Sequence, residues 1–205
     1  MTEQITLVRH GETIHNVAGI AQGWGDSALS ENGQRQVAAV AKRIAAMSPD
    51  AIFSSPLQRA VTTAEVISGA TGLPVRIIDG LREMNYGAWE GRSFLEVRRT
   101  DAENYNRWIE DPSHRCPDGE SHADVLQRLN GALEAILTGE NGQAVRPVIV
   151  THGTAIRIMA TGLMKLPLDA ARNFAQDNAA MNLFLRRADR WVLKIWNDTA
   201  HCVKN

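Results

Sequence analysis

The chain has 205 residues, 44% hydrophobic and 22% charged, with a formal net charge of −1. That composition is ordinary for a globular protein with one buried core and room for a modest insertion, and the charge gives no global attraction to nucleic acid or an anionic membrane. Two cysteines, Cys116 and Cys202, with no CxxC pair exclude a disulfide framework and a zinc site. "MTEQITLVRH" has neither the basic nor the apolar part of a signal peptide, and no apolar run is long enough to span a bilayer, so a reduced cytoplasmic location is expected.

Ile5 to Val8 predicts a buried strand that breaks without a spacer into Arg9-His10-Gly11. Ser30 is placed to cap a helix over about 31–47, with Val37, Val40, Ala41, Ile44 and Met47 on one face. Ala51-Ile52-Phe53 predicts a second strand, and Ser55-Pro56 a cap and first-turn proline for a helix over about 56–70, ended by Gly72. Val75 to Ile78 is a third strand.

From Asp79 to Glu120 the apolar period breaks, and four arginines fall between Arg82 and Arg99. "SFLE" at Ser93 fits a capping box for one short helix. This stretch reads as an insertion over one end of the core, within a single domain that spans the chain. Long excursions of that kind are more often functional than idle. Regularity returns with a helix from Ser121 to Thr138, a strand at Pro147 to Val150, a helix from Gly153 to Leu163, and a hairpin of Asn182–Arg187 with Trp191–Ile195. Alternating strands and helices predict an α/β fold with a mostly parallel central sheet.

Three strands end in polar signatures: "RHG" after Val8, "SSPLQR" after Phe53 and "THG" after Val150. In open α/β sheets ligands bind beyond the carboxyl ends of the strands. If these strands are parallel neighbours, His10, His152, Arg9 and Arg59 meet there, and the helix N-termini after Pro56 and Gly153 add N–H groups. That set suits a phosphoryl group, because arginine forks match phosphate oxygens. No P-loop is present.

For a nucleophile, Cys116 fails because the sixth residue after it is His122 rather than arginine, and no Asp-x-Asp pair follows an early strand. A neutral imidazole remains, competent near pH 7 and kept neutral by flanking cations. Glu83, in "LREMNYGAWEG", is the candidate proton donor for the leaving oxygen.

"LVRHGETIHN", "QGWGDSALSENGQRQ", "SSPLQRAVTTA", "LREMNYGAWEG", "GES" and "VTHGTAIR" follow one another along nearly the whole chain. In order and spacing they resemble the histidine phosphatase superfamily, also called phosphoglycerate mutase-like. The resemblance implies a three-layer α/β/α sandwich and metal-independent, cofactor-free chemistry. It implies that His10 becomes phosphorylated, that Arg9, Arg59 and His152 form the phosphate pocket, and that Glu83 donates the proton and later activates water. Asn16, Gln22, Gly23 and Thr154 stand where the family contacts phosphate or substrate. Tyr86 holds a position where metal-independent phosphoserine phosphatases of this family carry histidine.

The insertion has no "YRRSFDxPPP"-like segment of the bisphosphoglycerate-dependent mutases. The ending "WNDTAHC" resembles the "NDTxHL" of small broad-specificity phosphatases, with Cys202 in place of leucine. The expectation is a phosphomonoesterase for a small phosphorylated metabolite, acting as a monomer or homodimer without nucleic acid or membrane partners. A phosphoglycerate mutase and a non-catalytic phospho-ligand binder are the rivals. Arg92, Arg98 and Arg99 read as the wet face of a short helix, with a second-anion contact as the alternative. Trp24, Trp89 and Trp108 read as packing, with pocket walls as the alternative. Trp191 and Trp196 read as core, His15, His114 and His122 as solvated or locally hydrogen-bonded, His201 as a solvated tail residue with a substrate-site role as the alternative, and both cysteines as inert.

Overall fold

A computed structural model describes residues 3–138 and 146–202. Six strands form one sheet in the order β3-β2-β4-β1-β5-β6: β1 (Gln4–Arg9), β2 (Ala51–Ser54), β3 (Val75–Ile77), β4 (Pro147–Thr151), β5 (Met181–Arg187) and β6 (Arg190–Asp198). β1 to β4 run parallel, and the β5–β6 hairpin closes one side antiparallel. The sheet is therefore mixed and mostly parallel.

Period-two alternation divides the sheet residues between two cores. Ile5, Leu7, Phe53, Ile149 and Phe184 face one way, against α6 (His122–Thr138) and α7 (Gly153–Met164). Val8, Ile52, Val148 and Val150 face the other, against α2 (Glu31–Ala46) and α3 (Gln58–Thr71). The three layers follow from that division. Both faces of β1, β2 and β4 are covered, which is why they read as continuous apolar runs.

Register brings the three polar signatures together. Val8 and Ser54 both pair with Val150, the strand between them. The chain after each strand thus emerges at one level on one edge. β1 and β4 each run one residue or more past the expected ends.

Several local features differ from the sequence reading. α1 (Ile14–Val17), capped by Thr13, is an extra turn directly after the first polar signature. α3 begins at Gln58 rather than Pro56, and its cap is not Ser55. Asp26, 32 positions upstream, accepts from Gln58 N–H at 2.7 Å and Arg59 N–H at 3.3 Å. The 79–120 stretch holds two helices instead of one, α4 (Phe94–Thr100) and α5 (Ala102–Glu110). Trp191 and Trp196 are only partly buried on β6. That strand is the sheet's edge, with the Trp196 indole donating to Ala175 O at 2.8 Å.

The first turn of α2 backs the loop after β1 without spacing. A Cβ on Gly33 would stand 2.0 Å from the carbonyl oxygen of Glu12. Backbone cannot yield as a side chain can, so Gly33→Ala should lower stability by about 1–3 kcal/mol. A thermal melt reads this out, and an unchanged midpoint would mean that the loop accommodates the methyl group.

Candidate active site

The first polar strand end supplies Arg9 and His10. His10 is 2% exposed, and its Nδ1 lies 2.8 Å from Gly11 O. A carbonyl can only accept, so Nδ1 carries the hydrogen and Nε2 keeps the lone pair. Burial first, then the Arg9 and Arg59 charges, push the His10 pKa well below its ordinary 6.5. The ring is a neutral imidazole with a free nucleophilic nitrogen. Arg9 donates from Nη1 to Gln176 O at 2.5 Å, while its buried Nε–H has no acceptor among the described residues.

The second strand end supplies Ser55 and Arg59. Arg59, 2% exposed, holds the 23–26 loop. Nη2 donates to Gly23 O at 2.8 Å, and Nη1 donates to Gly25 O at 2.7 Å and to Asp26 Oδ1 at 2.9 Å. Its Nε–H is likewise buried without an acceptor. Gly23 has φ +54°, and a Cβ there would strike the Glu90 carboxylate at 1.9 Å, so the position needs glycine on both counts.

The third strand end supplies His152, fully buried, its ring centroid 5.2 Å from that of His10. Ser55 Oγ accepts from Leu57 N–H at 3.3 Å and lies 2.7 Å from His152 Nε2. Either the Ser55 hydroxyl or the His152 Nε2–H can donate in that contact. Burial, followed by the Arg59, His10 and Arg9 charges, holds His152 well below 6.5 as well. Its Nδ1 is buried without a hydrogen-bond partner among the described residues.

Arg9 Nε–H and Arg59 Nε–H are thus buried without acceptors among the described residues, and the two guanidinium charges beside a neutral His10 suit an anion.

Glu83 completes the group from the start of the insertion. Its Oε1 accepts from Met84 N–H at 2.9 Å and Ala155 N–H at 3.0 Å, and its Oε2 from Thr154 N–H at 3.1 Å. The N-terminus of α7 therefore holds the Glu83 carboxylate, and that of α3 holds Asp26. Neither helix end offers these N–H groups to a ligand, contrary to the sequence expectation. Both helix dipoles steady acidic side chains of the site.

These residues surround a cavity of about 240 Å³ lined by Arg9, His10, Arg59 and Glu83 together with Asn16, Gln22, Gly23, Tyr86 and Thr154. His152 does not line this cavity, its ring centroid lying 5.2 Å from that of His10. Asn16 Oδ1 accepts from Thr13 N–H and from Asn178 Nδ2, leaving its NH₂ as a donor. Tyr86 hydroxyl and Thr154 Oγ1 lie 2.7 Å apart, and burial raises the Tyr86 pKa.

Other candidates fall elsewhere. Arg92 bonds Glu96 at 3.0 Å, and Arg92, Arg98 and Arg99 do not line this cavity. Trp24 is 41% exposed, but its indole N–H donates to Glu83 O at 2.9 Å and so positions the acid. Trp89 is buried packing, with its Nε1 donating to Asp101 at 2.9 Å. His201 turns to Ala179 O at 3.0 Å in a groove against α2. His122 is not a solvated residue: it stacks on Trp108, and burial followed by the Arg157 charge pushes its pKa down to about 4. Burial raises Cys116 to about 12 and also raises Cys202, so neither is a reactive thiolate.

Arg128 was not singled out in the sequence. From α6 it donates to the carbonyls of Gly80, Arg82 and Glu83 at 2.7–2.9 Å and grips Glu120 with Nε and Nη2. Nothing but its place on the half-polar side of α6 distinguishes it in the sequence. Among the described residues, no group of three or more His, Cys, Asp or Glu side chains is placed to hold a metal ion, and no helix is long and apolar enough to cross a membrane.

Residues 5–199 match the model of the histidine phosphatase superfamily, branch 1. The chain belongs to that family. It is 35% identical over 196 residues to a probable phosphoglycerate mutase GpmB of Erwinia tasmaniensis, covering 94% of this chain and 89% of that one. It is 34% identical over 200 residues to phosphoserine phosphatase 1 of Hydrogenobacter thermophilus, covering 97% and 93%. Among solved structures, a mycobacterial glucosyl-3-phosphoglycerate phosphatase in complex with VO3 is similar with a TM-score of 0.88 at 30% identity, covering 95% of this chain and 99% of that one.

The depressed histidine pKa values have a definite sign. His10 and His152 stay neutral in the fold, whereas the unfolded chain takes up protons as pH falls through 6.5. Their contribution to stability is whole above pH 6.5 and is lost as pH falls below it toward their folded values. His10 also remains a nucleophile there. The acidic limb of kcat/KM should lie below pH 6.5 in the free enzyme. A limb at or above 6.5 in a pH–rate profile would contradict the burial argument.

Proposed function

We propose that this histidine phosphatase releases inorganic phosphate from a small phosphorylated metabolite through a phosphohistidine on His10. The observation that carries the reading is a buried, neutral His10 with its Nε2 lone pair free, on the wall of a cavity that Arg9, Arg59 and Glu83 also line. In the first step His10 Nε2 forms a bond to phosphorus as the ester P–O bond breaks. Arg9, Arg59 and His152 stabilise charge on the equatorial oxygens, and Glu83 gives its proton to the departing oxygen.

In the second step water attacks the phosphohistidine, Glu83 takes the water's proton, and the N–P bond breaks to restore neutral His10. Asn16 and Gln22 add polar contacts, Gly23 lets the 22–26 loop close in, and Tyr86 with Thr154 borders the leaving group. No step needs a metal or other cofactor. The chain acts as one domain whose 79–120 insertion covers the site. It works in the cytoplasm as a monomer or homodimer, without nucleic acid or membrane partners.

His10→Ala should abolish phosphate release. Glu83→Gln should lower kcat by roughly 10²–10⁴-fold, the usual contribution of a positioned acid or base, with a slower second step because the amide cannot activate water. Quench-flow with a ³²P-labelled ester measures both. The mutase-like relatives give the rival outcome a concrete form: rapid conversion of 3-phosphoglycerate to 2-phosphoglycerate with no phosphate released would sink the phosphatase reading.

A further inference from the structure

Glu83 stands on a segment with no ladder of its own. Asp79–Leu81 is one short helical turn, and the chain from Arg82 to Tyr86 is neither helix nor strand. Backbone carbonyls in such a place must find side chains or water. Four in succession find side chains here. Leu81 O accepts from the hydroxyl of Thr151, the residue before His152, at 2.6 Å. Gly80 O and Arg82 O accept from Arg128 Nη1 at 2.9 and 2.7 Å, and Glu83 O accepts from Arg128 Nη2 at 2.7 Å. The Trp24 indole is a second donor to Glu83 O.

Arg128 commits all of its donors to this stretch. A guanidinium carries five N–H groups. Three go to those carbonyls, and Nε and Nη2 direct the other two at Glu120, at 2.8 and 2.9 Å. Glu120 Oε2 in turn accepts from Asn85 N–H at 2.9 Å. One side chain on α6 therefore fixes the main chain before the acid directly, and after it through Glu120. The approach is close, since a Cβ on Gly80 would stand 2.9 Å from the Arg128 carbonyl oxygen. With side chains 19% and 18% exposed, Arg128 and Glu120 are largely shielded from water.

The far end of Glu83 is held separately, by Met84 N–H and the first N–H groups of α7. Those bonds orient the carboxyl only while the main chain beneath it stays in place. Proton transfer needs the carboxyl within hydrogen-bond reach of the departing oxygen, and a misplacement of about 1 Å can cost roughly a hundredfold. Arg128 itself does not line the phosphate cavity.

We infer that Arg128 is a positioning residue for proton transfer: it sets the main-chain position from which Glu83 reaches the leaving oxygen. The inference rests on the phosphatase reading above, in which Glu83 is the acid.

Leaving groups of unlike basicity separate positioning from general support of the fold. para-Nitrophenolate departs from its phosphate ester without a proton, whereas the para-nitrobenzyl alkoxide requires one, and the two esters differ by one methylene group. Their kcat/KM values report the step that forms the phosphohistidine, before water attacks. Arg128→Lys keeps the positive charge and a partner for Glu120, but an ammonium cannot span three carbonyls and a carboxylate. It should lower the nitrobenzyl-to-nitrophenyl ratio of kcat/KM by roughly tenfold or more. Glu83→Gln should lower the same ratio by roughly 10²–10⁴-fold, and adding Arg128→Lys to it should lower the ratio no further. Each ratio is taken within one variant, so a smaller folded fraction does not imitate the effect. Equal losses on both esters in Arg128→Lys, or a further fall of the ratio in the double variant, would overturn the inference and leave the phosphatase reading intact. A ratio untouched by Glu83→Gln would remove Glu83 as the acid and the role of Arg128 with it. No phosphate released from either ester by the unaltered protein would overturn both readings.

Discussion

Two arginines and two histidines must be buried together at the end of an apolar sheet, and much of the structure answers that constraint. Like charges in a low-dielectric place repel strongly. The protein meets this by keeping both imidazoles neutral and by giving each guanidinium protein acceptors on one side only. Arg59 spends Nη1 and Nη2 on Gly23, Gly25 and Asp26, and Arg9 spends Nη1 on Gln176. The Nε–H groups have no acceptor among the described residues.

The same constraint explains what the helix N-termini do. A dipole end pointed at an already cationic pocket would add to the repulsion. Instead α3 and α7 direct their first N–H groups at Asp26 and Glu83. Each carboxylate then serves twice, capping a helix and facing a cation or the leaving oxygen. Glu83 is held further by its backbone, whose carbonyl accepts from Trp24 and Arg128. An acid that must move a proton to one oxygen benefits from such fixing more than from strength alone.

The insertion is organised around two hubs. Arg128 ties its beginning to its end through the Gly80–Glu83 carbonyls and Glu120. Trp108 gathers Tyr86, Trp89, Phe94, Tyr105 and His122 into one aromatic wall. The histidines are thus mounted on strand ends, while the aromatic wall belongs to the insertion and the start of α6.

The strands, the two-sided burial of the sheet's centre and the polar residues that meet at its strand ends were legible along the chain. The apolar runs at Ile5, Ile52 and Val148 read as strands because both of their faces are covered, and each breaks abruptly into chemistry-bearing residues. The partner of each polar atom was not legible. Ser55 looked like the cap of α3, yet it bonds His152, and the cap comes from Asp26 in a distant loop. His122 looked solvated because a histidine's burial depends on what packs over it, here Trp108. Arg128 looks like an ordinary helix arginine, since nothing local distinguishes one that staples carbonyls from one in water. Local pattern determines element type and the order of the motifs, because both depend on neighbours a few residues away. Hydrogen-bond partners and pKa shifts were decided only by the tertiary structure, because each is a relation between atoms that the fold alone brings within reach.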